Sequence, residues 1–249
     1  MDLRSTIQST LSADQSTRQQ AEISLKHAET AQGFILELLN LVEVEQDFGV
    51  RQSTVIYLKN RISRGWPTEN PIHQPIPEPD CKPFRDRLLP VLANAPPQIR
   101  AQLVAILQTI LQNDFPKKWP EFMGITIQLL NEQNANSVFA GLQCLLAVCR
   151  TYRFMTGQER ENLDNVVQAA FPGILAIGDK LVDDTSVEGA EMLRVVVKCY
   201  KHAIYYELPK PLQTHQATVD WCTLFLRIIT KDVPQHALVD DADEREQNH

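Results

Sequence analysis

Asn113-Asp114-Phe115-Pro116-Lys117-Lys118-Trp119-Pro120-Glu121 lies between two apolar helical patterns, Ile99 to Leu111 and Phe122 to Leu130. Pro116 and Pro120 lack a backbone N–H and clash with the turn before them, so one continuous helix is excluded. Phe115 and Trp119 stand beside those prolines and would hold the break by packing. The stretch therefore reads as a rigid corner between two helices, and the rest of the chain is read outward from it.

On the N-terminal side, Leu3, Ile7 and Leu11 recur at helical spacing. Ser12-Ala13-Asp14 offers caps for a polar helix, Gln15 to Glu29, with Ala21, Leu25 and Ala28 on its apolar side. Phe34 to Val44 is a short apolar helix. Asp47 can cap the next, which runs to about Arg64 with Val55, Leu58 and Ile62 on one face and is stopped by Gly65-Trp66-Pro67. Residues 67–79, rich in proline, carry no periodicity and read as a loop. Asp80 to Ala95 is helical again, and Pro96-Pro97 starts the stripe Ile99, Leu103, Ile106, Leu107, Ile110.

Beyond the corner come Phe122 to Leu130, a polar turn, and Val138 to Phe154. Gln158 to Val182 follows, with a bend expected at Pro172-Gly173. Asp183-Asp184-Thr185-Ser186 caps Val187 to Leu208, and Pro209-Lys210-Pro211 precedes a last helix, Leu212 to Thr230. Residues 232–249 read as an acidic, disordered tail or the truncated start of a next segment. These are eleven helical segments and no strand. Second helices of successive pairs begin near residues 14, 48, 97, 136 and 187, a mean period of about 43 that lies in the HEAT/armadillo range of about 40–47. The expected fold is all-α: a right-handed solenoid superhelix of five to six HEAT repeats over residues 1–231, in which stacking buries the apolar faces that one pair cannot.

Composition narrows the function. Net charge is −7 and no basic stripe appears, so direct nucleic-acid binding is not expected. The longest mostly apolar run, Val138 to Cys149, is too short for membrane insertion. The five cysteines are read as reduced thiols. None of the phosphate-loop, dinucleotide, zinc-protease or nucleophile-elbow patterns occurs, so no enzyme and no cofactor are expected. Cys199 and His202, one turn apart, read as a core thiol and a partly exposed imidazole, because no second ligand pair has suitable spacing. Arg18 and Glu22 read as a local i,i+4 salt bridge.

A solenoid exposes one face of each second helix on its concave side. On a helical wheel, Ser53, Asn60 and Arg64 lie opposite Val55, Leu58 and Ile62, with Gln52 and Lys59 at one flank. The same logic selects Gln15, Gln19 and Lys26 on an earlier helix, and Arg100, Gln108 and Gln112 on a later one.

Three motifs then carry a family likeness. They are Arg18-x-x-Ala21-Glu22-x-x-Leu25; Arg51 with Tyr57-Leu58-Lys59-Asn60-x-Ile62 and Trp66; and Asp114-Phe115-Pro116 with Trp119-Pro120. In this order the chain resembles the N-terminal region of the importin-β (karyopherin-β) family of nuclear transport receptors, most like the importin seven/importin eight branch. Members of that family are several times longer, so an N-terminal fragment is expected. The resemblance implies that inner helices of the first repeats, within about residues 1–120, bind Ran-GTP. Contacts would come from Gln15, Gln19, Lys26, Gln52, Ser53, Lys59, Asn60, Arg64, Arg100 and Gln108. Trp66, Phe115, Pro116, Trp119 and Pro120 would be structural. It further implies binding of Phe-Gly nucleoporins, basic cargo such as ribosomal proteins or histones, cargo release coupled to Ran-GTP, and shuttling between cytoplasm and nucleus. The competing reading is a HEAT scaffold or regulatory subunit without a GTPase partner.

Overall fold

The computed structural model describes residues 2–67 and 73–231. Every regular element among them is helical. In chain order these are α1 (Leu3–Ser9), α2 (Gln15–Ala28), α3 (Phe34–Val44), α4 (Phe48–Gly65), α5 (Glu78–Asn94), α6 (Pro97–Asp114), α7 (Phe122–Leu130), α8 (Ala135–Tyr152), α9 (Gln158–Leu181), α10 (Val187–Ala203) and α11 (His215–Thr230). A 3-10 turn, Lys210–Leu212, precedes the last.

The starts are chemically marked. Asp14, Asp47, Ser186 and Thr214 each accept, through the side chain, a backbone N–H of the first helical turn. Such a bond fills a donor that the helix cannot satisfy internally. Pro97 starts α6, where a missing N–H costs nothing. Helix α3 begins on Gly33, at φ +85, and the Gly33 N–H donates to the buried Asp80 carboxylate at 2.8 Å. Second helices therefore begin at residues 15, 48, 97, 135 and 187, as their pattern requires.

The chain divides into two compact units, Met1–Thr151 and Tyr152–His249. In the first, α1 packs on α2, α3 and α4, and α3 packs on α4 and α5. Helix α6 packs on both α4 and α5. Thus α3 neighbours both α1 and α5 in one layer, and α4 neighbours α6 in a second. Val55, Leu58 and Ile62 of α4 and Ile99, Leu103, Ile106, Leu107 and Ile110 of α6 are fully buried. In the second unit α9 packs against α10, α11 and the 3-10 turn. Trp221 of α11 lies 4.6 Å from the Tyr200 ring and 5.7 Å from Phe171, centroid to centroid.

Several expectations need correction: α8 runs Ala135–Tyr152 rather than Val138 to Phe154, and the last helix starts at His215, after the 3-10 turn, not at Leu212. Leu11 lies outside α1 and is 53% exposed, because the chain turns at Thr10 before a third helical repeat of the stripe can form. Helix α10 ends at Ala203, not Leu208: Arg160 of α9 donates through Nη2 to the carbonyls of Ala203 and Glu207, taking acceptors from a continuing helix. Arg18 does not pair with Glu22. Its Nη1 donates to the carbonyls of Ser12 and Ala13, at 2.6 and 2.8 Å, and ties the turn before α2 to its first coil. Helix α5 starts two residues early, at Glu78. The expected tail, 232–249, and residues 68–72 of the proline-rich loop lie outside the described residues.

The candidate partner-binding face

Helix α4 is the axis of the candidate face. Thr54 turns its hydroxyl back to the Val50 carbonyl at 2.7 Å, and Arg51 Nε donates to the Val42 carbonyl at 2.7 Å. The first bond is internal to α4; the second ties α4 to the end of α3. Gln52, Ser53 and Lys59 come out half-buried; Asn60 and Arg64 are exposed.

Lys59 reaches across to the next second helix, where its Nζ donates to Gln102 Oε1 of α6 at 2.8 Å. On α6, Arg100 is half-buried with its guanidinium 4.8 Å from the Phe139 ring of α8. Gln108 is half-buried as well. The candidates on α4 and α6 are thus joined side by side. Gln15, Gln19 and Lys26 are exposed on α2, which meets α4 at its C-terminal end.

That meeting centres on Glu29, the residue that closes α2. Its carboxylate accepts from Tyr57 Oη at 3.3 Å and pairs with Arg64 Nη2 at 3.5 Å. Its carbonyl accepts from Arg61 Nε at 3.0 Å. Arg64 Nε also donates to the Asn60 carbonyl at 3.1 Å. Burial, then the neighbouring Glu29 charge, push the Tyr57 phenol up to about 12.

Arg61 is buried, which lowers its pKa from the usual arginine value. Its Nη1 and Nη2 donate to the carbonyls of Gln74 and Pro75, at 3.2 and 3.4 Å. A Cβ on Gly65 would stand 1.7 Å from Arg61 Nη1, so only glycine leaves room for that reach. The Ile76 N–H closes the attachment on the Gly65 carbonyl at 2.7 Å. Trp66 is buried with its ring 5.9 Å from Phe84. Residues 74–76 are therefore bound to the end of α4.

Glu29, Arg61 and Gln102 were not among the residues selected from the sequence, and Tyr57 entered only as part of the family motif. Arg61 carried a signal: it follows Leu58 by three and precedes Ile62, so it lies beside the apolar stripe. A charge there needs buried partners. Gln102 and Glu29 carried none, since their roles come from a neighbouring helix.

At the corner, Trp119 and Phe122 are buried and their ring centroids are 4.8 Å apart. Phe115 meets the same Phe122 ring at 5.8 Å. The Phe115–Pro116 peptide is cis, Pro116 is half-buried and Pro120 is exposed. The Asp114 carbonyl accepts from the N–H groups of Lys118 and Trp119, at 2.6 and 3.1 Å. Its carboxylate takes Arg85 Nη1 at 2.5 Å.

Cys144, Cys149 and Cys199 are buried, and no group of three or more His, Cys, Asp or Glu among the described residues could hold a metal ion. Burial pushes the Cys144 thiol up to about 12. No helix among those residues is long and apolar enough to cross a membrane.

Residues 21–94 match the family model of the importin-beta N-terminal domain. The chain is a relative of the importin-β family at its N-terminal region. It is 30% identical to importin-8 of Mus musculus over 98% of this chain and 25% of that protein. It is 29% identical to the probable importin-7 homolog of Dictyostelium discoideum, over 97% of this chain and 23% of that protein. Both likenesses fall in the importin seven/eight branch. The chain spans about a quarter of the length of the curated relatives it matches. Among solved structures, the exportin Cse1 in its cargo-free, cytoplasmic state superposes with a TM-score of 0.81 at 19% identity, over 93% of this chain and 26% of that one. The fold class is the all-α HEAT-repeat solenoid. Of the candidate face, Lys26, Gln52, Ser53, Lys59, Asn60 and Arg64 lie inside the matched window. Gln15, Gln19, Arg100, Gln108 and the corner lie outside it.

Proposed function

We propose that the chain serves nuclear transport, and that the face built on α2, α4 and α6 binds Ran in its GTP form. The observation that carries the reading is the Lys59–Gln102 bond between α4 and α6, inside or beside a window matching the importin-beta N-terminal domain. It joins a cation and amides into one polar face within about residues 1–120. Polar and charged groups arranged this way favour rapid, selective capture of a complementary surface.

Cargo and Ran-GTP then compete through the repeat stack: if one lowers affinity for the other, the reverse holds by the same factor. Basic proteins suit a chain of net charge −7 as cargo, and Phe-Gly nucleoporins would carry the receptor through the pore between cytoplasm and nucleus. Titrating this chain with GTP-loaded and GDP-loaded Ran by calorimetry tests the proposal. Selective binding of the GTP form is expected. Equal or absent binding of the two forms would return the chain to the scaffold reading.

A further inference from the structure

The charges of the first unit are segregated, although the whole chain carries −7. Helix α4 holds Arg51, Lys59, Arg61 and Arg64 and no acid. Helix α6 holds Arg100 and, as its only acid, Asp114, which is buried against Arg85. The first helices differ. Helix α3 holds Glu37 and Glu43 and no base, and α5 matches Glu78, Asp80 and Asp86 with Lys82, Arg85 and Arg87. These helices pair charges among themselves: Arg87 with Glu43 at 2.7 Å, and Lys82 with Asp86 at 2.9 Å.

The cations of α4 are held instead mostly by neutral acceptors. Lys59 Nζ donates to the Gln102 amide oxygen, Arg51 Nε to the Val42 carbonyl, and Arg61 to the carbonyls of Glu29, Gln74 and Pro75. A carboxylate in any of these places would cancel the charge. An amide or carbonyl fixes the side chain and leaves the charge whole. Among the described residues, Arg64 alone of the α4 cations meets a carboxylate, that of Glu29 at 3.5 Å, and Glu29 also accepts from Tyr57. Arg61 is buried and Arg51 is tied to the end of α3, so Lys59 and Arg64 present the outward charge.

We infer that this face takes a carboxylate-bearing surface of its protein partner, with Lys59 and Arg64 as the cations that meet it and Gln102 as the positioning residue that keeps Lys59 extended and unneutralised. The inference rests on the reading of α2, α4 and α6 as the partner-binding face and adds the sign of the surface it takes. Lys59 is half-buried, so salt screens its charge less than that of a fully exposed lysine. An unneutralised cation there steers an acidic surface and rejects a basic one. Nucleic acid is disfavoured: a duplex presents one phosphate charge per about 1.7 Å of its axis, and two outward cations match few of them.

Gln102→Glu is the deciding substitution, because it keeps the side-chain shape and sets a carboxylate on Lys59. The whole chain is titrated with a short labelled peptide of alternating Glu and Leu, by fluorescence anisotropy, and with GTP-loaded Ran, by calorimetry. Gln102→Glu and Lys59→Gln should each weaken peptide binding about tenfold, and Gln102→Ala less. Added salt should weaken binding to the parent chain. Gln102→Glu should not lower the melting temperature, which separates lost charge from lost fold. Unchanged peptide affinity in Gln102→Glu and Lys59→Gln overturns the inference. So does a single-stranded oligonucleotide that binds as tightly and loses affinity in the same variants. If GTP-loaded Ran fails to bind while the peptide behaves as expected, the transport reading fails and the sign of the face stands. If Ran binds the parent and Gln102→Glu equally, the inference fails and the transport reading stands.

Discussion

Arg85 of α5 and Asp114 at the end of α6 form a buried ion pair, Nη1 to Oδ2 at 2.5 Å. The same Asp114 receives two N–H groups of the corner on its carbonyl, and the Arg85 guanidinium lies 5.9 Å from the Trp119 ring. One pair thus couples the helix before the corner to the helix that enters it. Removing one member leaves an uncompensated charge at a site only 12% exposed on the arginine side and 2% on the aspartate side. Arg85→Ala and Asp114→Ala should each cost about 3–5 kcal/mol. Arg85→Met combined with Asp114→Leu should recover much of that, as read by urea unfolding. Additive losses in the double variant would remove the coupling.

Trp119→Ala should cost about 3–5 kcal/mol, because a large ring is lost from a buried site against Phe122. Pro120→Ala, at an exposed position, should stay within about 0.5 kcal/mol. Thermal melts of the two variants separate the packing of the corner from its backbone chemistry.

Lys59→Glu with Asn60→Ala should weaken binding of GTP-loaded Ran about tenfold or more, about 1.4 kcal/mol, with the melting temperature unchanged. Gln102→Ala tests the same link from α6. It frees Lys59 without altering charge and should change affinity less. A melting temperature that falls in step with affinity would make the pair structural.

Gly141→Ala should destabilise by about 1–3 kcal/mol. A Cβ there would meet the Leu130 backbone nitrogen and Cγ at 3.0 Å, where α7 and α8 approach. Gly124→Ala meets nothing within 4 Å and should be neutral or slightly stabilising in a helix. Differential scanning calorimetry of the two distinguishes close approach from helix propensity.

Glu45 supplies a pH-dependent term. The Asp47 N–H, and then Arg4, hold its carboxyl below the ordinary value of 4.5. A depressed folded value means stabilisation that is complete above 4.5 and is lost as pH falls through the folded value. Glu45→Gln should therefore be less stable than the parent at pH 7. The difference should shrink below about pH 4, followed by urea midpoints across that range. A constant difference would reassign the role to packing.

Much of the helical order is legible in the chain because its signals are local. Asp47 three residues before Val50, Ser186 before Gly189, and Pro97 after Pro96 mark starts through bonds made within one turn. Leu103, Ile106, Leu107 and Ile110 mark a buried stripe by spacing alone. The pairing of helices follows, since no pair can bury both of its faces. Leu11 misled because its spacing is helical while its backbone has already turned. Arg18 misled because two carbonyls six and five residues back were better acceptors than the carboxylate one turn ahead.

The candidate face was legible only in part. Ser53, Asn60 and Arg64 could be placed opposite Val55, Leu58 and Ile62 from periodicity, which is a property of one helix. The Gln102 acceptor of Lys59 is 43 residues away, and the Glu29 partner of Tyr57 is 28 away. Spacing within a helix cannot specify such contacts. The sequence by itself determined the order of the helices, the caps at Asp14, Asp47 and Ser186 and the family resemblance; the helices and caps rest on short-range stereochemistry. The tertiary structure alone decided which charges are paired: that Arg61 holds residues 74 and 75, that Arg85 meets Asp114, and that Lys59 bridges two helices. Those choices depend on distances between segments far apart in the chain, set by the packing of α4 on α6 and of α5 on α6.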